Sequence, residues 1–200
     1  MGQERVEGQS HFFAMMSRMR YIERWALMRN SQRENISEHS LEVAMIAHLL
    51  AVVGNVRLGK CVNAERTALI GMYHDSTEII TGDMPTPVKY FNPQIQHAFK
   101  AVEDVAGHKL ISMLPEDLRT SYERLFFQQE EDAYLWKLVK AADKLSALIK
   151  CIEEEKNGNS EFVSAKAALE KSLDEMELEE VAIFKAEFLP SYYKTLDELN

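Results

Sequence analysis

Apolar residues recur at helical spacing along nearly the whole chain. Phe12, Met15, Met16, Met19 and Ile22 form a stripe that predicts an amphipathic helix near the start. Leu41, Ala44, Met45, Ala47, His48, Leu50 and Ala51 predict a second, largely buried helix, with Gly54 and Asn55 suited to its C-terminus. Asn63 can cap a third helix carrying Ala64, Ala68, Leu69, Met72 and Tyr73. Pro85, Pro87 and Pro93 then break the pattern, so 81–93 is expected to be a long loop. Ile95, Phe99, Val102, Ala106, Leu110 and Met113 give a fourth stripe, stopped by Pro115, and another helix starts near Glu116. Leu135, Leu138, Val139, Ala142, Leu145, Ile149 and Ile152 follow at spacings of 3, 1, 3, 3, 4 and 3, a strong amphipathic helix that Asn157-Gly158-Asn159 ends. Two more stripes run through Phe162, Ala165, Leu169 and Leu173, then Val181, Phe184 and Phe188, with Pro190 ending the last. No alternating segment bounded by hairpin turns, internal repeat or flexible linker interrupts them. The expectation is one all-α domain, a helical bundle over 10–200 behind a loose polar tail at 1–9.

Length and composition fit this picture. A chain of 200 residues with 46% hydrophobic positions can bury a sizeable core and is not disordered. The net charge of -9 disfavours nucleic-acid polymers, which are held mainly by cations on phosphates. A small anionic substrate remains open, provided a local cation such as a metal offsets the repulsion. Cys61 and Cys151 form no C-x-x-C pair and read as free thiols in a reducing cytoplasm. The polar start lacks the apolar core of a secretory signal, and no apolar run approaches the roughly 20 residues of a membrane helix.

Candidate chemistry centres on His74-Asp75, placed at the end of the third helix after Ile70, Met72 and Tyr73. Alone, the doublet would be a capping histidine beside a surface aspartate. His39, in the first turn of the second helix, would alone be a surface or capping residue. Asp143 changes the balance. Aspartate is a poor mid-helix residue, and here it neighbours the buried stripe through Val139 and Ala142. Such a carboxylate must be paired, hydrogen-bonded or metal-bound, and a salt bridge to Lys140 or Lys144 is the plainer alternative. Two imidazoles and two carboxylates suit Mn, Fe, Co, Ni or Zn better than Ca.

The order H…HD…D, with His74-Asp75 starting 35 residues after His39 and Asp143 a further 68 after Asp75, resembles the signature of the HD-domain phosphohydrolase superfamily, an all-helical fold. Longer stretches resemble the bacterial 5′-deoxynucleotidases of the YfbR type: SHFFAMMSRMRYIERWALMRN, ENISEHSLEVAMIAH, NAERTALIGMYHDSTEIITGDMPTPVKYFN, LVKAADKLSALIKCIEE and SYYKTLDEL. The resemblance spans almost the whole chain. It implies hydrolysis of deoxyribonucleoside 5′-monophosphates, metal ligands His39, His74, Asp75 and Asp143, and a homodimer.

Four protein ligands leave room for water and substrate only on a five- or six-coordinate ion, which favours Co, Mn or Fe over tetrahedral Zn. Glu78 follows Asp75 by three residues and shares its face if the helix continues; the resemblance makes it the general acid/base rather than a solvated surface carboxylate. The prolines and Gly82 suit 81–87 to holding a ligand closely, and the resemblance assigns nucleotide contacts to Asp83, Met84, Pro85 and Thr86, with Asp83 near the sugar hydroxyl or leaving oxygen. Arg24 and Trp25, near the end of the first predicted helix, would ordinarily be a surface cation and a core aromatic. The resemblance puts Arg24 on the phosphate through its planar fork and Trp25 against the deoxyribose, with His39 and Asp75 also touching substrate. Arg29, Arg33 and Lys89 are further cations among which the sequence does not choose. Two other readings stand beside this one. The first is an HD enzyme on a triphosphate, cyclic nucleotide or alarmone, against which the chain shows no basic run. The second is a non-enzymatic HD scaffold, against which all four ligands and Glu78 are present.

Overall fold

The computed structural model describes residues 9–89 and 91–199. The tail expected at 1–9 lies almost wholly outside these residues. Ser10 is already tied down, its Oγ donating to the Met113 carbonyl at 2.8 Å.

Among the described residues, ten α-helices run in chain order: α1 (Phe12–Met16), α2 (Ile36–Arg57), α3 (Ala64–Tyr73), α4 (Glu78–Thr81), α5 (Thr86–Lys89), α6 (Pro93–Ile111), α7 (Glu116–Phe126), α8 (Ala133–Lys156), α9 (Val163–Asp174) and α10 (Glu179–Glu187). No strand joins them among the described residues, as the periodicity predicts. The pair α2 and α8 forms the centre. Val43, Ala47 and Leu50 of α2 meet Leu138, Leu145, Leu148 and Ile152 of α8 in one buried cluster. Every member of the predicted α8 stripe is buried.

Local chemistry sets the starts of the helices that matter. Asn35 caps α2, its Oδ1 accepting from Ser37 N–H at 3.0 Å and Glu38 N–H at 3.1 Å while Glu38 reaches back to Asn35 N–H. Asn63 caps α3 through Arg66 N–H at 2.9 Å. The helices α2 and α3 cross closely at Gly71. A Cβ there would lie 3.0 Å from Ala44 Cα, so a side chain at this position would crowd the α2 backbone.

Several expectations are corrected. Helix α2 does not stop at Gly54-Asn55 but runs to Arg57. Gly54 serves packing instead, since a Cβ there would lie 2.8 Å from Glu180 Oε1. Asn55 uses its side chain to hold Val62 in the following loop, and Gly59 takes the left-handed conformation at φ 66. Leu41 and Met45 of α2 are exposed at 54% and 59%, and His48 is exposed as well, so that face is not core. Helix α2 is also long and apolar enough to match a membrane span by length and composition, with mean hydropathy 1.4. It serves as the core helix here, its buried face packed on α3 and α8. The first predicted helix breaks early. Residues Ser17–Tyr21 tighten into a 3-10 turn, and Ile22 is extended. The expected loop 81–93 holds the short helix α5, because Pro85 O accepts from Val88 N–H and Lys89 N–H.

The stretch between that turn and α2 is irregular but anchored. Glu23 and Asn35 form an isolated antiparallel bridge, with Arg24 N–H donating to Glu34 O at 2.9 Å and Ile36 N–H to Ile22 O at 3.0 Å. Further along, buried Glu154 of α8 accepts from Ser31 N–H at 2.9 Å and Gln32 N–H at 3.3 Å, and pairs with Lys150.

Candidate metal and substrate site

Four side chains from three elements converge on one cluster. His39 comes from the first turn of α2, His74 and Asp75 from the turn that ends α3, and Asp143 from the middle of α8. One ligand atom from each lies within 4.8 Å of the others. The Gly71–Ala44 approach brings the first two into range, with imidazole centroids 5.5 Å apart.

Each histidine presents a defined nitrogen. His74 Nδ1–H donates to Gly71 O at 2.7 Å, which leaves Nε2 as the bare lone pair. That Nε2 is buried and makes no hydrogen bond, with Asp75 Oδ2 3.1 Å away as the nearest charge. His39 is 1% exposed and turns Nε2 toward Asp143 Oδ1 at 3.1 Å and Asp75 Oδ2 at 3.5 Å. Its Nδ1 faces Ser146 Oγ at 3.0 Å and Glu34 Oε1 at 3.4 Å. An orphaned imidazole nitrogen beside two carboxylates is the donor set of a divalent metal, and the residues fit one.

The electrostatics call for a cation. Burial and the Arg24 guanidinium pull the His39 pKa down, yet hydrogen bonds to Asp143 and Glu34 overcome them and raise it to about 9. Burial would raise Asp75, but the imidazoles of His74 and His39 and the Arg24 guanidinium hold it well below the usual carboxylate range. Asp143 is likewise lowered against its burial, by His39 above all. Its side chain is 38% exposed, and its partners are His39 and Arg24 rather than Lys140 or Lys144. The expected buried carboxylate is therefore half-exposed, at the edge of a cleft of about 410 Å³ lined in part by His74, Trp136, Lys137 and Lys140.

Glu78 is not a solvated surface residue. It is 6% exposed, with Oε2 buried and unpartnered. Helix α3 ends before it, but hydrogen bonds from Ser76 N–H to Tyr73 O and from Glu78 N–H to Asp75 O, both 3.0 Å, keep the turn helical and hold Glu78 beside Asp75. Burial, then the charges of Asp75 and Asp83, push its carboxyl well above the usual range, against Arg24 and Lys89. It can hold a proton at neutral pH.

Arg24 and Trp25 are not on a helix, contrary to expectation. Arg24 is largely buried and points into the cluster, Nη1 lying 3.3 Å from Asp75 Oδ2 and Nη2 4.0 Å from Asp143 Oδ1. Trp25 adopts φ 58, an uncommon backbone conformation for a bulky residue. Its N–H donates to Asp83 Oδ2 at 3.3 Å and its indole Nε1–H to Glu34 Oε2 at 2.9 Å, with the ring tilted on Phe162 at 5.2 Å. Asp83 is thereby brought to the same side. Gly82 serves this turn by its φ of 74; open space around it means that close approach is not its reason. Met84 and Pro85 are half-buried behind Asp83, and Thr86 is exposed at the start of α5. Among the other cations, Arg29 and Arg33 are exposed and paired with Glu161 and Glu23. Lys89, bound to Glu103 at 2.8 Å, is the one whose charge reaches Glu78 and Asp75.

Sequence reasoning missed Glu34, Ser146 and Glu42. Ser146 Oγ donates to Glu42 Oε2 at 2.6 Å behind His39. A serine three residues after Asp143, inside a buried stripe, was the available signal; Glu34 lies outside any helix and left none.

An all-helical bundle carrying an H…HD…D cluster of this geometry defines the HD class of phosphohydrolases. A family model described as 5′-deoxynucleotidase YfbR-like matches residues 11–192, and the chain belongs to that family. A 5′-deoxynucleotidase of Erwinia tasmaniensis is 50% identical over 191 residues, covering 96% of both chains. The 5′-deoxynucleotidase YfbR of Salmonella paratyphi B is 50% identical over 196 residues, again covering 96% of each. Among solved structures, an HD-domain phosphohydrolase of Listeria innocua superposes with TM-score 0.80 at 25% identity, over 91% of this chain and 88% of that one. The cyanophage S-2L HD phosphohydrolase bound to dA and one catalytic Zn2+ shares the fold, with TM-score 0.61 at 18% identity over 96% and 100%.

Proposed function

We propose that His39, His74, Asp75 and Asp143 form the metal centre of a 5′-deoxynucleotidase, which converts a deoxyribonucleoside 5′-monophosphate and water to deoxyribonucleoside and phosphate. The activity class, a phosphoric monoester hydrolase, follows from the family and from relatives that share half the sequence. The residue-level reading is carried by the bare, buried Nε2 of His74, aimed into a cluster of donors within 4.8 Å.

His39, His74, Asp75 and Asp143 would hold a divalent cation, which would supply charge neutralisation for the phosphate and activation of water. The protein's own groups do the rest. Arg24, already oriented by Asp75 and Asp143, turns its fork to the phosphate oxygens. Glu78 in its protonated form donates to the departing 5′-oxygen, the task its raised pKa suits. Trp25 packs against the sugar carbon that lacks a hydroxyl, and Asp83 accepts from the remaining sugar hydroxyl while the chain from Met84 to Thr86 borders the nucleoside. The mixed donor set of two imidazoles and two carboxylates, His39, His74, Asp75 and Asp143, supports Co or Mn as the ion it would hold.

Free Cys61 and Cys151 support a reducing cytoplasm. Burial raises the Cys151 thiol to about 12, which makes it inert. Exposed Leu41, Met45, Leu69 and Met72 flank the crossing of α2 and α3 and support a homodimer through that face. The test of the centre is direct: Asp75→Ala and Asp143→Ala each lose metal by elemental analysis and lose turnover. Variants that keep both contradict the assignment.

A further inference from the structure

We propose that Glu34 is a positioning residue that joins the metal centre to the sugar-facing tryptophan, so that one carboxylate sets both ligand strength and sugar selection. This rests on the reading of His39 as a ligand and Trp25 as the sugar wall. The Glu34 carboxylate reaches both. Oε2 accepts the indole Nε1–H of Trp25 at 2.9 Å and lies 3.6 Å from Arg24 Nε. Oε1 lies 3.4 Å from His39 Nδ1. The side chain is only 13% exposed, and the Glu34 carbonyl accepts from Arg24 N–H in the antiparallel bridge.

The consequence for His39 follows from its tautomer. With Nε2, the nitrogen on the Asp143 and Asp75 side, given to the metal, the remaining proton sits on Nδ1 and must be donated. Ser146 Oγ and Glu34 Oε1 are the acceptors, and Ser146 gives its own hydrogen to Glu42. A carboxylate behind a ligating imidazole fixes the ring and raises the basicity of the coordinating nitrogen.

The consequence for Trp25 follows from its backbone. A residue at φ 58 that is not glycine holds that conformation only when its surroundings impose it. Asp83 accepts from the Trp25 N–H and Asn30 Nδ2–H donates to its carbonyl at 3.2 Å, so both act on the backbone. The ring is held by Glu34 and by packing on Phe162. Glu34 is therefore the polar group that orients the indole, and the same group backs His39.

The experiment uses the full chain with Glu34→Ala, Glu34→Gln and Ser146→Ala, each checked for helical content. Two quantities are read: Mn affinity by chelator competition without substrate, and the ratio of kcat/KM for deoxy- over ribonucleoside monophosphates. Glu34→Ala lowers Mn affinity by roughly 10–100-fold. It also lowers the ratio to that of Trp25→Ala, and the double variant falls no further. Glu34→Gln separates the two roles, because its amide oxygen still accepts from the indole but is a weaker partner for the imidazole. It keeps the ratio and loses Mn affinity, and it decides the matter should the alanine variant not fold. Ser146→Ala weakens Mn binding and leaves the ratio alone. Folded Glu34 variants with wild-type affinity and ratio overturn the proposal, as does additivity of Glu34→Ala and Trp25→Ala in the ratio. A wild-type enzyme with no deoxy preference instead overturns the sugar-wall reading, and the substrate-free titration still decides the link to His39.

Discussion

Arg24 Nη1 lies 3.3 Å from Asp75 Oδ2, so the guanidinium assigned to the phosphate is already fixed by a carboxylate assigned to the metal. On the proposed assignment, the pair would set where the phosphate and the ion meet. Arg24→Lys keeps the charge but loses the planar fork. It lowers kcat/KM clearly while metal content stays at the wild-type level. Wild-type steady-state kinetics in this variant would place Arg24 away from the phosphate.

Glu78 carries a pH prediction. Burial, with the Asp75 and Asp83 charges, raises its pKa, so the protonated form persists at neutral pH. Activity that needs this proton is present below the raised pKa and falls as pH climbs through it. Glu78→Gln removes that alkaline limb and lowers kcat by roughly 10²–10⁴, the usual scale of acid–base catalysis, with metal retained. Loss of metal in this variant would make Glu78 a ligand instead.

Trp25 carries the sugar prediction. A ribonucleotide would bury its 2′-hydroxyl against the ring without a partner, costing about 1–3 kcal/mol. Apolar walls reject an added hydroxyl on the order of 10²-fold. Trp25→Ala shrinks the deoxy preference toward unity, chiefly by lowering kcat/KM for deoxynucleotides. An unchanged ratio in a folded, metal-loaded variant would move discrimination to Asp83 and its loop.

Gly71 links fold to site. A Cβ there would sit 3.0 Å from Ala44 Cα and 3.2 Å from Ala44 N, both backbone atoms that cannot swing aside. Gly71→Ala therefore spreads α2 from α3, costs about 1–3 kcal/mol as overpacking does, and separates His39 from His74. A lower Tm together with weaker metal binding is expected. An unchanged Tm would show that the crossing can relax.

Three of the four proposed ligands stood out in the sequence against an apolar background, while His39 did not stand out by itself. Asp143 interrupts an apolar helix, and His74-Asp75 follows the apolar end of α3, so their chemistry stood out against the stripe. The bundle was legible for the opposite reason, since the apolar stripe of α8 keeps helical spacing from Leu135 to Ile152 and every member is buried. The setting of Arg24 and Trp25 was not. Their conformation depends on the Glu23–Asn35 bridge and on Asp83, 58 residues beyond Trp25, and no periodicity encodes such contacts. The groups behind His39 were hidden likewise, Ser146 lying 107 residues away. Gly54 misled because a glycine chosen for packing against Glu180 reads in sequence like a helix stop.

The most direct test of the whole account is phosphate release from a panel of deoxy- and ribonucleoside 5′-monophosphates, with the protein stripped by EDTA and then given Co, Mn or Mg. The account predicts no turnover in the stripped protein, recovery with Co or Mn beyond that with Mg, and faster release from the deoxy series throughout. Full turnover by the metal-free protein would contradict it.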